Sequence, residues 1–210
     1  MVTLRNLQIN GNLGNGIVPP GTDGIRVIGG GAAVHVENCT IQGGSQQGID
    51  FAPSSSVDLF VRDTVVSNNA GGGVLLMPTV GASIRVTFDN VAVEGNATGM
   101  LIDGRATTGS NALTIRNSTI AGGSGFGAAV YEGGTGVSTM TIEGSTVANN
   151  ATFGVVASGA TATARLVNSV VSGNARGLIT TSGGNIVSQG GNMVAGNTVN
   201  GAFTQTLPLQ

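Results

Sequence analysis

The chain contains no lysine and no tryptophan, and only one cysteine, one histidine and one tyrosine among 210 residues. Each shortage removes a class of function. Eight arginines against ten acidic residues leave a net charge of −2, so there is no basic stripe for phosphates and no nucleic-acid partner is expected. Cys39 stands alone. An internal disulfide is therefore impossible, and the thiol reads as a small buried hydrophobe. A single His35 rules out metal binding by paired imidazoles, and no metal site is expected. No apolar run approaches the roughly 18 residues of a membrane span, so insertion into a bilayer is not expected. Charged residues make up 9% of the chain, and 37 residues are glycine. That combination would suit a disordered chain, were it not for the regular recurrence of Val, Ile and Leu.

The recurrence is what the chain does have. Short alternating strands end at Asn6, Asn38, Asp63, Asn90, Asn117, Gly144 and Asn168. A glycine follows nine or ten residues after most of them, at Gly48, Gly73, Gly99, Gly127, Gly154 and Gly177. From Asn38 onward the anchors are separated by 25, 27, 27, 27 and 24 residues. A period in the twenties with one supersecondary unit per repeat is the mark of a solenoid. In Leu113-Thr114-Ile115-Arg116-Asn117-Ser118-Thr119-Ile120 the apolar residues alternate with polar ones as in a half-buried strand. The phase changes at Asn117, which marks a bend, Gly122-Gly123 makes a turn, and Gly127 opens a third strand. The expected fold class is all-β: a right-handed parallel β-helix of about eight coils with three parallel sheets and a single domain over residues 1–210. Asn6 to Asn38 is longer than any other step, which predicts a projecting loop over residues 10–23. Residues 201–210, with Phe203 and Leu207, are expected to fold over the last coil.

Equivalent slots should stack from coil to coil. The anchor column Asn6, Asn38, Asp63, Asn90, Asn117 and Asn168 is expected to form an asparagine ladder that tolerates left-handed backbone. A second asparagine column lies six residues later, at Asn12, Asn69, Asn96, Asn150, Asn174 and Asn197. Just before the anchors run Arg5, Glu37, Arg62, Asp89, Arg116 and Glu143, whose sign alternates. Opposite charges at cross-strand positions attract and like charges repel, so this column reads as a structural charge ladder that sets register. A uniform arginine column would instead have suited an anionic sugar.

The runs Val2-Thr3-Leu4-Arg5-Asn6-Leu7-Gln8-Ile9 and Val34-His35-Val36-Glu37-Asn38-Cys39-Thr40-Ile41, with the tail Val194-Ala195-Gly196-Asn197, resemble secreted bacterial right-handed β-helix repeat proteins of the pectate lyase-like superfold. The resemblance implies an extracellular or periplasmic origin. Such proteins usually carry a secretion signal and extra N-terminal coils. Here Met1 leads directly into Val2-Thr3-Leu4, so the chain is expected to lack N-terminal coils of a longer protein. No catalytic residues come with the resemblance.

Many proteins of this superfold cleave acidic polysaccharides, with clustered carboxylates or bound Ca²⁺. The residues that should face outward on the third strands are Arg26, Asp50, Leu75, Leu101, Ala129, Val156 and Ile179. Five in succession are apolar, which suits contact with another surface better than hydrolysis. Leu75, Leu101, Ala129, Val156 and Ile179 are therefore a candidate binding stripe. Asp103 and Glu132, at the ends of neighbouring strands near Arg105 and Tyr131, form a candidate polar site, and Asp50 is a further candidate. The expectation is a secreted, non-catalytic scaffold without cofactors that contacts a glycan, a surface or other copies of itself. Self-association would use the stripe or an open N-terminal coil. The alternative is a lyase or hydrolase acting on acidic polysaccharide through Asp50, or through the Asp103/Glu132 pair with a nearby arginine such as Arg105, with Ca²⁺ bound only in that case.

Overall fold

The computed structural model describes residues 1–13, 20–31, 33–79 and 81–207. Strands and turns make up all of its regular structure, and no helix occurs among the described residues. Every strand pair is parallel and joins a residue to its counterpart one repeat later, as in Leu113 with Met140 and Ile115 with Ile142. The chain is therefore a coil of parallel strands with three limbs per turn.

The first limb contains Val34–Glu37, Ser110–Arg116 and Val137–Glu143, and the second contains Thr40–Gln42, Thr119–Ala121 and Thr146–Ala148. The third limb contains Gln47–Phe51, Gly72–Leu76, Met100–Asp103, Ala128–Tyr131 and Phe153–Ser158. Three ladders were expected, and three are present, but the first two fuse into one sheet. Strands Val57–Ser67 and Ile84–Glu94 run through the bend without a break. The third ladder has seven strands. It thus defines seven coils and six steps between them, somewhat fewer than the eight coils expected, because the last repeat stops short of a third strand.

The bend between the first and second limbs is a single residue in left-handed conformation. Asn6, Asn38, Asp63, Asn90, Asn117 and Asn168 have φ between 49° and 57°. Gly144 takes the same place with φ 53°, a conformation that glycine adopts without the steric penalty of a Cβ. The bend reverses the alternation, so the residues on both sides of it can point inward. The interior is a continuous aliphatic core, with Val36, Ile41, Ile49, Phe88, Ile115, Ile120, Ile142 and Val147 fully buried.

The start of each third strand passes very close to the second limb. A Cβ on Gly99 would collide with the carbonyl oxygen of Gly127 and with the Ile120 side chain. Glycine is needed there for proximity, not for an unusual φ.

The base of the 10–23 segment is closed by a hydrogen bond from the Gly21 amide to the Gly11 carbonyl (2.9 Å). The rest of the predicted loop, residues 14–19, lies outside the described residues. At the other end, Gln205–Thr206 pairs with Val187 and Ser188, and Phe203 packs on the core. Residues 208–210 lie outside the described residues. Met1 and Val2 are exposed, while Leu4 and Ile9 lean on the core.

Candidate functional site

The outer face of the third ladder brings the expected residues together in register. Arg26 aligns with Asp50, Asp50 with Leu75, Leu75 with Leu101, and the column continues through Ala129, Val156 and Ile179. The apolar stripe is nonetheless not an open surface. Ala129 is 0% exposed and Val156 5%, and Leu75, Leu101 and Ile179 are half-buried. The physical reason is local. Ala129 is small and lies between larger side chains one interstrand spacing away. Phe126 and Tyr131, five residues apart in the chain, flank Ala129 in sequence and bring their ring centroids to 6.2 Å. Pointing outward from a strand is not the same as being exposed.

The next outward column is Asp103, Tyr131, Ser158 and Thr181. Arg105 binds Asp103 with both arms of its fork, Nε to Oδ1 at 2.8 Å and Nη2 to Oδ2 at 2.6 Å. The same guanidinium lies 5.2 Å from the centre of the Tyr131 ring, within the range of a cation–π contact. Burial pushes the Tyr131 phenol above its ordinary pKa, an effect that Arg105 partly offsets. Asp103, Arg105, Tyr131 and Phe126 thus form one rigid platform, half aromatic and half charged, beside the hydroxyls of Ser158 and Thr181.

Glu132 does not join it. Its carboxylate turns under the loop and accepts hydrogen bonds from the amides of Gly133 (3.1 Å) and Gly134 (3.2 Å) and from the Ser138 hydroxyl (2.8 Å). The expected pairing of Asp103 with Glu132 fails because successive residues on a strand face opposite sides. Tyr131 is the partner aligned with Asp103, which puts Glu132 on the inner side.

Asp50 is 8% exposed, and its pKa is raised, first by burial and then by Asp23, against the pull of Arg26. Arg26 Nε meets Asp50 at 3.0 Å and Arg26 Nη1 meets Asp23 at 3.9 Å. The Arg26 guanidinium thus sits against both carboxylates, while Asp50 Oδ1 is buried without a hydrogen-bond partner among the described residues. Among the described residues, no three His, Cys, Asp or Glu side chains converge on one point.

The outer face of the first ladder carries the alternating charges. Glu37 is held between Arg5 (2.7 Å, Nε to Oε2) and Arg62 (3.3 Å, Nε to Oε1), and the hydrogen bond from Arg5 is the main reason that its pKa is lowered. Asp89 pairs with Arg116 at 3.0 Å. The ladder expected over six residues is broken, however. Neither Arg62 with Asp89 nor Arg116 with Glu143 comes within ion-pair distance among the described residues, although both pairs are in register. Each arginine leans towards one coil only, and Asp89 Oδ1 also accepts from the Asn117 side-chain Nδ2 (3.1 Å). A pair not singled out beforehand, Arg85 with Asp58, is bidentate at 3.0 and 2.7 Å. His35 and Phe60 stack on the same face, with centroids 4.9 Å apart.

The asparagines at the bends bond only in places. Asn38 donates to Asn6 (2.8 Å) and Asn90 to Asp63 (2.7 Å). More bonds of this kind lie six residues later, where Asn69 donates to Asn96, Asn150 to Asn174, and Asn174 to Asn197, all at 2.9–3.0 Å. Among the described residues the Asn12 side chain does not join that column; the Asn12 backbone amide donates to Asn10 Oδ1 (2.8 Å).

Sequence reasoning missed a third column. At most bends the residue that follows points inward, and where it is Ser or Thr its hydroxyl both donates to the carbonyl two residues back and accepts the amide of the preceding coil. Ser118 donates to the Arg116 carbonyl (2.7 Å) and accepts Val91 N–H (3.0 Å). Thr64, Ser145 and Ser169 repeat the pattern. Cys39 occupies the same place, with its thiol 3.3 Å from the Glu37 carbonyl. The signal was present as Cys39, Thr64, Ser118, Ser145 and Ser169 one place after the anchors, interrupted by Val91.

With the register established, the comparison with known families is direct. A profile described as "Right handed beta helix region" matches residues 23–199. The chain belongs to that family. No curated protein and no solved structure matches it. Membership of the right-handed β-helix family agrees with the coil seen here and specifies no chemistry.

Proposed function

We propose that this chain is a non-catalytic β-helix scaffold, working outside the cytoplasm, that holds a glycan against the outer face of its third ladder. The observation that carries this reading is the platform in which Asp103 fixes Arg105 against Tyr131. Sugars pack their C–H faces on aromatic rings and give their hydroxyls to charged and hydroxyl side chains, and this face offers both. A ring held by packing and a guanidinium held by a carboxylate lose little freedom when a ligand arrives.

The carboxylates argue against the hydrolase or lyase alternative. An acid–base pair needs two carboxyl groups that face one bond at a defined separation. Asp50 is tied to Arg26, Asp103 to Arg105, and Glu132 to two amides and a hydroxyl. None of these presents a free pair.

A glycan array on the full chain tests the reading. Retention of one glycan class is expected, and it should be lost in both Tyr131→Ala and Arg105→Ala. Incubation with polygalacturonate and alginate covers the alternative. Unsaturated products that disappear in Asp50→Asn or Asp103→Asn would make the protein an enzyme.

A further inference from the structure

Asp103 limits what the platform can hold. Its carboxylate takes the Nε and Nη2 edge of Arg105 at 2.8 and 2.6 Å, and its Oδ1 also accepts the Arg105 backbone amide at 3.1 Å. Asp103 is 6% exposed, whereas the Arg105 side chain is 59% exposed. An exposed cation is thus matched by a buried anion, and the pair presents no net charge to a ligand.

A ligand carboxylate has two ways to reach Arg105. It can displace Asp103 from the Nε edge, which leaves a buried carboxylate without its partner, a costly state. Or it can take the Nη1 side, which sets a second negative charge against a guanidinium that already holds one, and like charges at that range repel. A sugar hydroxyl incurs neither penalty, because it accepts an N–H of Arg105 and donates its own proton elsewhere without carrying a charge.

The rest of the third ladder offers an acidic ligand no better contact. Two coils before Asp103, Arg26 lies against Asp50 (3.0 Å) and Asp23 (3.9 Å), and Asp50 Oδ1 is buried without a donor among the described residues. In the other direction Tyr131, Ser158 and Thr181 follow Asp103 in register, a ring and two hydroxyls without charge. Arg176 has no ion-pair partner among the described residues, but it opens the strand Arg176–Thr181 that Thr181 closes, roughly 16 Å from that column at the rise of an extended chain.

We infer that the platform selects uncharged sugars, and that Asp103 sets this choice by holding the arginine edge that a uronate would otherwise take. The inference rests on the reading of the platform as a glycan site; it adds the class of glycan and the residue that determines it.

The test is titration of the full chain with oligosaccharides of glucose, mannose and galactose, each paired with the same oligosaccharide oxidised to the carboxylate at C6. At least one neutral form is expected to bind, and its oxidised form to bind about tenfold more weakly or worse. Asp103→Asn keeps the size of the side chain and removes its charge. It should bring that ratio close to unity by strengthening the oxidised form. Added salt screens the repulsion and should narrow the ratio of the unsubstituted protein in the same direction. A merely structural role for Asp103 predicts instead that both forms weaken together, with the ratio unchanged. That result, or an oxidised form that binds the unsubstituted protein as tightly as the neutral one, overturns the inference and leaves the glycan reading standing. If no form of any oligosaccharide binds, or if binding survives Tyr131→Ala, the glycan reading falls and this inference with it. Circular dichroism verifies that the coil is retained in each variant.

Discussion

The Ser118 amide donates a hydrogen bond of 3.0 Å to the hydroxyl of Ser145, 27 residues further along the chain. That hydroxyl donates in turn to the Glu143 carbonyl at 2.7 Å. With Thr64, Ser118 and Ser169 in the same arrangement, this is a buried polar seam inside an aliphatic core, and each of the four hydroxyls both donates and accepts. Buried polar groups are tolerated when they are paired in this way.

The seam has one gap. Val91 lies between Thr64 and Ser118, donates its amide to Ser118, and offers no hydroxyl of its own. Val91→Thr keeps the branched shape and adds the missing donor and acceptor. It is expected to stabilise the coil by about 0.5–1.5 kcal/mol, the net worth of an internal hydrogen bond. Urea unfolding midpoints of the two proteins measure this, and a lower midpoint in the variant would sink the idea.

Asn174 is the most heavily committed side chain in the buried asparagine column. Its Oδ1 accepts from the Asn150 amide and side chain, and its Nδ2 donates to carbonyls and to Asn197. Asn174→Ala leaves several of these buried groups without partners. A loss of roughly 2–4 kcal/mol is expected, at about 1–3 kcal/mol for each orphaned group with partial relaxation. A change below about 0.5 kcal/mol, typical of a neutral surface site, would mean that the column is not structural.

Gly99 tests the close approach of the second and third limbs. Gly99→Ala places a methyl group against the Gly127 carbonyl and the Ile120 side chain. Backbone is in the way, so the coil must shift. The expected loss is about 1–3 kcal/mol, as for overpacking in a core, read as a lower thermal midpoint. The comparison Gly196→Ala meets no neighbouring atom but has φ 73°. It should cost only the left-handed strain, about 1–2 kcal/mol.

Asp50 carries a pH signature. Its folded pKa lies above the ordinary value of 3.8, first because it is buried. A carboxyl group with a raised folded pKa binds its proton more tightly in the native state. Its contribution to stability is therefore full below about 3.8 and declines as pH rises through the folded value. Relative to Asp50→Asn, the wild-type protein should gain stability as pH is lowered from 7 through that window. Paired urea titrations between pH 3 and 7 check the sign, and the opposite slope would mean that Arg26 outweighs burial.

The period and the core were legible in the sequence because both rest on backbone geometry. Two residues per coil, five apart, adopt left-handed φ, as Asn117 and Gly122 do, and Asn, Asp and Gly do so most readily, so the bends announced themselves. The inward slots of Ile115, Ile120 and Ile142 followed from alternation about those bends. The seam did not. Ser118 and Ser145 look like the outward polar residues of an alternating strand until the bend is known to reverse the phase.

The candidate sites were less legible, for a different reason. Alternation says which side of a strand a residue faces, not what lies over it. Ala129 faces outward and is covered, and Arg62 and Asp89 share a register without meeting. Those outcomes depend on side-chain length and lean, which a column of letters does not contain. The distinction between Asp103 and Glu132 was available from parity along one limb.

The side-chain bonds of the buried seam join each coil to its immediate neighbours, with no partner further away. A 27-residue segment such as 118–144, duplicated in place, would find the same donors below it and the same acceptors above. The architecture is therefore modular. A gene encoding one more cassette should yield a longer rod of unchanged cross-section, lengthened by about 4.8 Å.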